Sequence, residues 1–152
     1  MTVGVKYTKQ LDNGALKRVS EPYLVSAMTF TDAEARIHEE LGAVIRGEFN
    51  VTRIKHENIH DIFAFDDADV WYKSVVKYDN FDADSEKGKT VTQNFLVSAS
   101  SVHQATERIK ESLKNLMVDF NITKTEVTKI VDIIPYKEDL DVEISRKSID
   151  HV

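Results

Sequence analysis

The chain has no cysteine, which excludes disulfide bonds, thiolate zinc sites and cysteine nucleophiles together. It has only two prolines and five glycines in 152 residues, so it holds neither a proline-rich linker nor a glycine-rich phosphate loop. No apolar run approaches the roughly 20 residues that a membrane-spanning helix requires. The opening, MTVGVKYTKQ, lacks the apolar centre and small-residue cleavage site of a secretory leader. Those two absences set the expectation of a cytoplasmic protein with no membrane contact. Basic excess is missing too, since the net charge is -6. The imbalance comes from Asp61, Asp66, Asp67, Asp69, Asp79, Asp82, Asp84 and Glu86, set against Lys73 and Lys77. The rest of the chain is neutral, unlike the basic footprint of a duplex-DNA binder, so nucleic acid is not an expected partner.

What remains is an ordinary globular composition, 41% hydrophobic and 30% charged, in a chain long enough to fold without a covalent staple. Its main feature is an internal duplication. Val5-Lys6-Tyr7 returns as Val76-Lys77-Tyr78, and Phe49-Asn50-Val51-Thr52 as Phe120-Asn121-Ile122-Thr123. Between them Leu24 to Ala27, Ala33, Arg36, Ile37, Glu39 and Leu41 are each identical to the residue 72 positions further on.

Each copy reads as β-β-α-β. Val3, Val5 and Tyr7 alternate with polar residues, as do Val70, Tyr72, Val76 and Tyr78, which is strand periodicity. Asp12-Asn13-Gly14 signals a type I′ hairpin turn. Thr29 with Asp32, and Ser101 with Gln104, have capping-box spacing and start the helices. Ala33, Ile37, Leu41 and Val44 share a face of the first helix; Ala105, Ile109, Leu113 and Leu116 do so on the second. Pro22 and Pro135 are placed at strand ends.

The expected fold is α+β: a two-layer sandwich of two pseudo-symmetric β-β-α-β repeats, with a mainly antiparallel sheet and the helices on one face. Residues 1–136 form a single domain of repeats 1–65 and 69–136, and residues 137–152 a charged tail. The copies should superpose with Leu24 on Leu96, Ile37 on Ile109 and Phe49 on Phe120. The seam between the repeats is the first place to seek a pocket.

The segments EPYLVSAMTFTDAEARIHEEL and GEFNVTRIK resemble an uncharacterised domain-of-unknown-function family of Bacteroidetes and their bacteriophages. The likeness runs to Pro135-Tyr136. It implies a bacterial cytoplasm, or a host cytoplasm for a phage-encoded protein, and no activity.

Four features invite chemistry. His56-Glu57-Asn58-Ile59-His60 fits H-E-x-x-H, the zinc-hydrolase pattern that needs both histidines on one helix face and Glu57 poised to activate water. The duplication instead aligns this run with the strand-like Val127 to Ile133, so no metal is expected there. Asp82, Asp84 and Glu86 alternate as in a calcium loop, but Lys87 stands where the sharp turn needs glycine, and a hairpin tip is the better reading. Trp71, Lys73 and Lys77 share one strand face and resemble a stacking platform. Nearby carboxylates oppose a polyanion within a Debye length of about 8 Å, so Trp71 should lie against protein. Arg36 and Arg108 recur with Glu39 and Glu111; they are either helix-surface pairs or the walls of a repeated pocket.

No catalytic set and no cofactor follow from these residues. The expected function is non-enzymatic capture of a nucleotide-like small molecule or a protein partner, with Trp71, Lys73, Lys77, Arg36 and Arg108 as candidate ligand contacts. The alternatives are a zinc-dependent hydrolase using His56, Glu57 and His60, and an assembly protein forming a homo-oligomer.

Overall fold

The structure is a computed structural model that describes residues 1–80, 89–116 and 119–135. The acidic tip Asp82 to Gly88 and the charged tail 137–152 lie outside the described residues. Its elements are β1 (Thr2–Gln10), β2 (Leu16–Val25), α1 (Phe30–Gly42), β3 (Phe49–Lys55), β4 (Asp61–Phe63), β5 (Val70–Asn80), β6 (Lys89–Ala99), α2 (Val102–Ser112), β7 (Phe120–Val127) and β8 (Asp132–Ile134). The fold is α+β, with two four-stranded sheets ordered β3-β1-β2-β8 and β4-β6-β5-β7. Under the repeat the two orders are the same. Thr2 pairs with Leu24 as Lys73 pairs with Leu96, and Tyr7 with Phe49 as Tyr78 with Phe120.

The sequence repeats do not coincide with the compact units. One unit is residues 1–57 with 130–152, and the other is 58–129. The short closing strand of each repeat pairs with the sheet begun by the other. β8 lies parallel to Tyr23, Leu24 and Val25 of β2, and β4 lies parallel to Phe95, Leu96 and Val97 of β6. The sheets are therefore antiparallel except for one exchanged parallel strand each.

Each unit buries one face of its helix on one face of its sheet. In the first, Ala33, Ile37 and Leu41 meet Val3, Val5, Tyr23, Val25 and the donated Ile134. In the second, Ala105, Ile109 and Leu113 meet Tyr72, Val76, Phe95, Val97 and Ala99. Burying one such aliphatic side chain contributes roughly 1.5–3 kcal/mol, so these faces dominate the stability of each unit. Val44 and Leu116 do not join them: α1 ends at Gly42 and α2 at Ser112, and both side chains are exposed. The caps form as their spacing implies. The amide of Asp32 donates to Thr29 Oγ1 and that of Gln104 to Ser101 Oγ, each at 3.0 Å.

The first hairpin departs from the type I′ expectation. Among the described residues positive φ occurs only at Gly14 (81°) and Gly47 (90°), so Asn13 stays right-handed. Gly14 N donates to Leu11 O and Leu11 N to Ala15 O, which is a type I turn closed by a glycine bulge. The repeated threonine of the Phe-Asn-Val/Ile-Thr segments also finds its reason. β3 and β7 each carry a bulge, and the hydroxyls of Thr52 and Thr123 donate to Gly4 O and Val75 O at 3.2 Å. Pro22 lies within β2 rather than at its end. Its missing N–H is on the β8 side, just before that strand's pairing begins at Tyr23, and its carbonyl accepts there from Val131 N.

Candidate functional site

In the first unit the β1–β2 hairpin outruns its helix. Period-2 alternation places Tyr7, Lys9, Lys17, Val19 and Glu21 on the face that α1 covers at Val3, Val5, Tyr23 and Val25. Beyond Gly42 the chain folds back, with Val44 N and Ile45 N both donating to Leu41 O, and Gly47 turns it into β3. That return forms the second wall of a cleft. Two cavities of about 450 and 420 Å³ open there and share Tyr23 and Val44. One is bounded by Tyr7, Lys9, Leu16, Ile45 and Arg46, the other by Glu40, Val131, Asp132, Ile133 and Pro135.

At their base the Tyr7 hydroxyl donates to Glu21 Oε2 at 2.9 Å and the Tyr23 hydroxyl to the same oxygen at 3.4 Å. Burial, followed by the Glu21 hydrogen bond and charge, pushes the Tyr7 phenol up to about 12. Burial, then the charges of Glu21 and Tyr7, does the same for Tyr23. Both phenols are therefore protonated at neutral pH. They offer hydrogen bonds and aromatic surface, not an acid or base matched to turnover.

The second unit is a control within the molecule. Tyr7 returns as Tyr78, but Glu21 becomes Gln93 and Tyr23 becomes Phe95. Phe95 stacks on Phe63 of the donated segment, with centroids 5.6 Å apart and planes 11° apart, and meets the His60 ring edge-on at 5.4 Å. The same place is filled with aromatic packing in one copy and carries a polar cluster in the other.

The candidate residues read from the sequence are not gathered in one place. Trp71, Lys73 and Lys77 lie on β5 of the second unit, on the face opposite the buried Tyr72, Ser74 and Val76. Trp71 is half-buried, and its carbonyl accepts from both the amide and the hydroxyl of Thr128 at 2.8 Å. Lys77 borders a cavity of about 300 Å³ with Asp79, Asn121 and Thr123.

The two arginines hold donated chain. Arg36 donates to Pro135 O, just past β8. Arg108 donates to Ser98 O at 2.8 Å and to both Asp67 oxygens at 2.8 and 2.6 Å, and stands 4.3 Å over the Phe65 ring, just past β4. The hydrogen bonds from Arg108 hold the Asp67 carboxyl below its usual range.

Residues 56–60 are not helical and not in a strand, so the helical face that H-E-x-x-H chemistry uses is not formed. His56 belongs to the first unit, with its ring 5.0 Å from Phe30, and His60 belongs to the second. Glu57 accepts from the Thr2 hydroxyl at 3.4 Å. Among the described residues no three His, Asp or Glu converge to hold a metal ion. No described helix is long and apolar enough to cross a membrane.

Sequence reasoning passed over Tyr7, Glu21 and Tyr23. The signal that would have found them is the mismatch of Glu21 and Tyr23 with Gln93 and Phe95 within otherwise matching segments.

No curated protein and no solved structure matches the chain. Residues 1–136 match the model of a domain of unknown function, DUF4494, and the chain belongs to that family.

Proposed function

We propose that the protein is a non-enzymatic binding protein that captures a small molecule in the cleft of its first unit. One observation carries this: the Tyr7–Glu21–Tyr23 cluster opens on cavities where the second copy places Phe95 packing. Each cavity falls within the roughly 300–1,000 Å³ of ordinary ligand pockets, and its walls mix apolar surface with polar and charged groups. Leu16 and Val44 are 74% and 75% exposed on the rim, and that apolar edge supports a second reading, a protein partner seated on the same cleft. The zinc-hydrolase alternative gains no support from the non-helical 56–60 segment. A cytoplasmic accessory role in Bacteroidetes or their phages is the setting proposed from the family resemblance.

The test is a fragment screen by two-dimensional NMR on the full chain. Shift changes should cluster on the amides of Tyr7, Tyr23, Val44 and Val131. Hits confined to the second unit, or no hits, would overturn the reading.

A further inference from the structure

We propose, resting on the capture reading above, that the ligand is a small aromatic anion whose acidic group is held by Lys9, Lys17 and Arg46. Lys9 and Lys17 stand directly opposite one another in the β1–β2 ladder. Like charges at directly opposed positions destabilise an antiparallel pair. The alternation that buries Val3 and Val5 puts both lysines on the cleft side, and both are exposed. Arg46 approaches from the other wall and borders the same cavity as Lys9. Among the described residues no ion pair engages any of the three. A pairing that costs folding free energy and is left unneutralised beside a cavity is what a bound anion would relieve.

The cleft is also polar along its length. Lys9 and Arg46 border the cavity at the hairpin end, with Lys17 across the ladder from Lys9, whereas Glu40 and Asp132 border the other cavity. The Glu21 carboxylate already accepts hydrogen bonds from the phenols of Tyr7 and Tyr23. An acidic group therefore sits at the hairpin end, and the ligand's flat body lies along Tyr23 and Val44, which both cavities share. An aromatic ring suits that place because Tyr23, itself aromatic, and the apolar Val44 border both cavities there.

The experiment uses the full chain and two probes with the same rings, 1-anilinonaphthalene-8-sulfonate and its neutral analogue N-phenyl-1-naphthylamine, titrated by calorimetry. The sulfonate should bind at one site, at least about tenfold more tightly than the neutral probe, as loss of one charge-assisted contact implies. Its affinity should fall as salt is raised. The double variant Lys9→Gln/Lys17→Gln should close most of the gap between the probes. Its melting temperature should not drop, because the substitution removes a repulsion. Equal binding of both probes, unchanged in the variant, would overturn the anionic ligand and leave capture standing. Failure of both probes to bind in the cleft would overturn the inference and the capture reading together.

Discussion

Burial of Tyr7 and Tyr23, together with the Glu21 carboxylate that their hydroxyls share, makes the first unit sensitive to alkaline pH. The Tyr7 and Tyr23 phenols ionise near 10 in the unfolded chain and at about 12 when folded. A folded pKa above the unfolded one contributes stability that is fully present below pH 10 and is lost as pH rises through about 12. The free energy of unfolding should therefore decline across that window. Phenolate absorbance against pH, together with denaturation at each pH, checks it. The variant Tyr7→Phe/Tyr23→Phe should flatten the decline, and an equally steep decline in the variant would refute the assignment. None of this was legible from composition or motif. A lone Glu between Ser20 and Pro22 of β2 looks like an outward strand position until the register brings Tyr7 near it.

At the scale of elements, local chemistry was easier to read because its causes are local. The caps at Thr29 and Ser101 need only a hydroxyl and an amide three residues apart, and both form. The hairpin was half legible. Asp12-Asn13-Gly14 does turn the chain, but the turn keeps Asn13 right-handed and spends its one positive φ on Gly14. Gly14→Ala should thus cost about 1 kcal/mol by forcing a Cβ into the left-handed region, although nothing lies within 4 Å of that Cβ. Asn13→Ala removes only the bond from Ala15 N to Asn13 Oδ1 and should cost less. Urea denaturation orders the two, and a larger loss at Asn13 would mean that the turn is type I′ after all. The helical faces were read one residue group too far, through Val44 and Leu116. A 3.6-residue pattern continues in sequence past the point where the last backbone hydrogen bonds stop.

Over the whole molecule, the duplication showed the repeated unit but not the exchange of closing strands. Pairing between the end of one repeat and the start of the other leaves no local periodic trace. The contacts that Arg36 and Arg108 make with Pro135 O and Asp67 were hidden for the same reason, because both lie in donated chain. Removing Arg108 with Arg108→Ala should cost roughly 1–3 kcal/mol, since its hydrogen bond to Ser98 O and its place over Phe65 are lost together. Asp67→Asn should cost less, because Asp67 is the exposed partner. Equal losses in the two variants would show that the ion pair alone matters.

The exchange itself has a sharper consequence. β8 supplies the fourth strand of the first unit and its buried Ile134, yet it arrives from the second repeat. Truncation after Lys129 should therefore damage the unit that is remote from the cut in sequence and spare the one next to it. Amide protons of Val3, Val5 and Val25 report the first unit, and the single tryptophan, Trp71, reports the second. Hydrogen exchange should accelerate at the three valines while Trp71 emission stays native. The substitution Ile134→Ala in the full chain should act in the same direction and cost about 2–5 kcal/mol, the range for emptying a buried isoleucine site. Were the truncated chain to lose native Trp71 emission and keep its valine protection, each repeat would be closing its own sheet, and the strand exchange would be refuted.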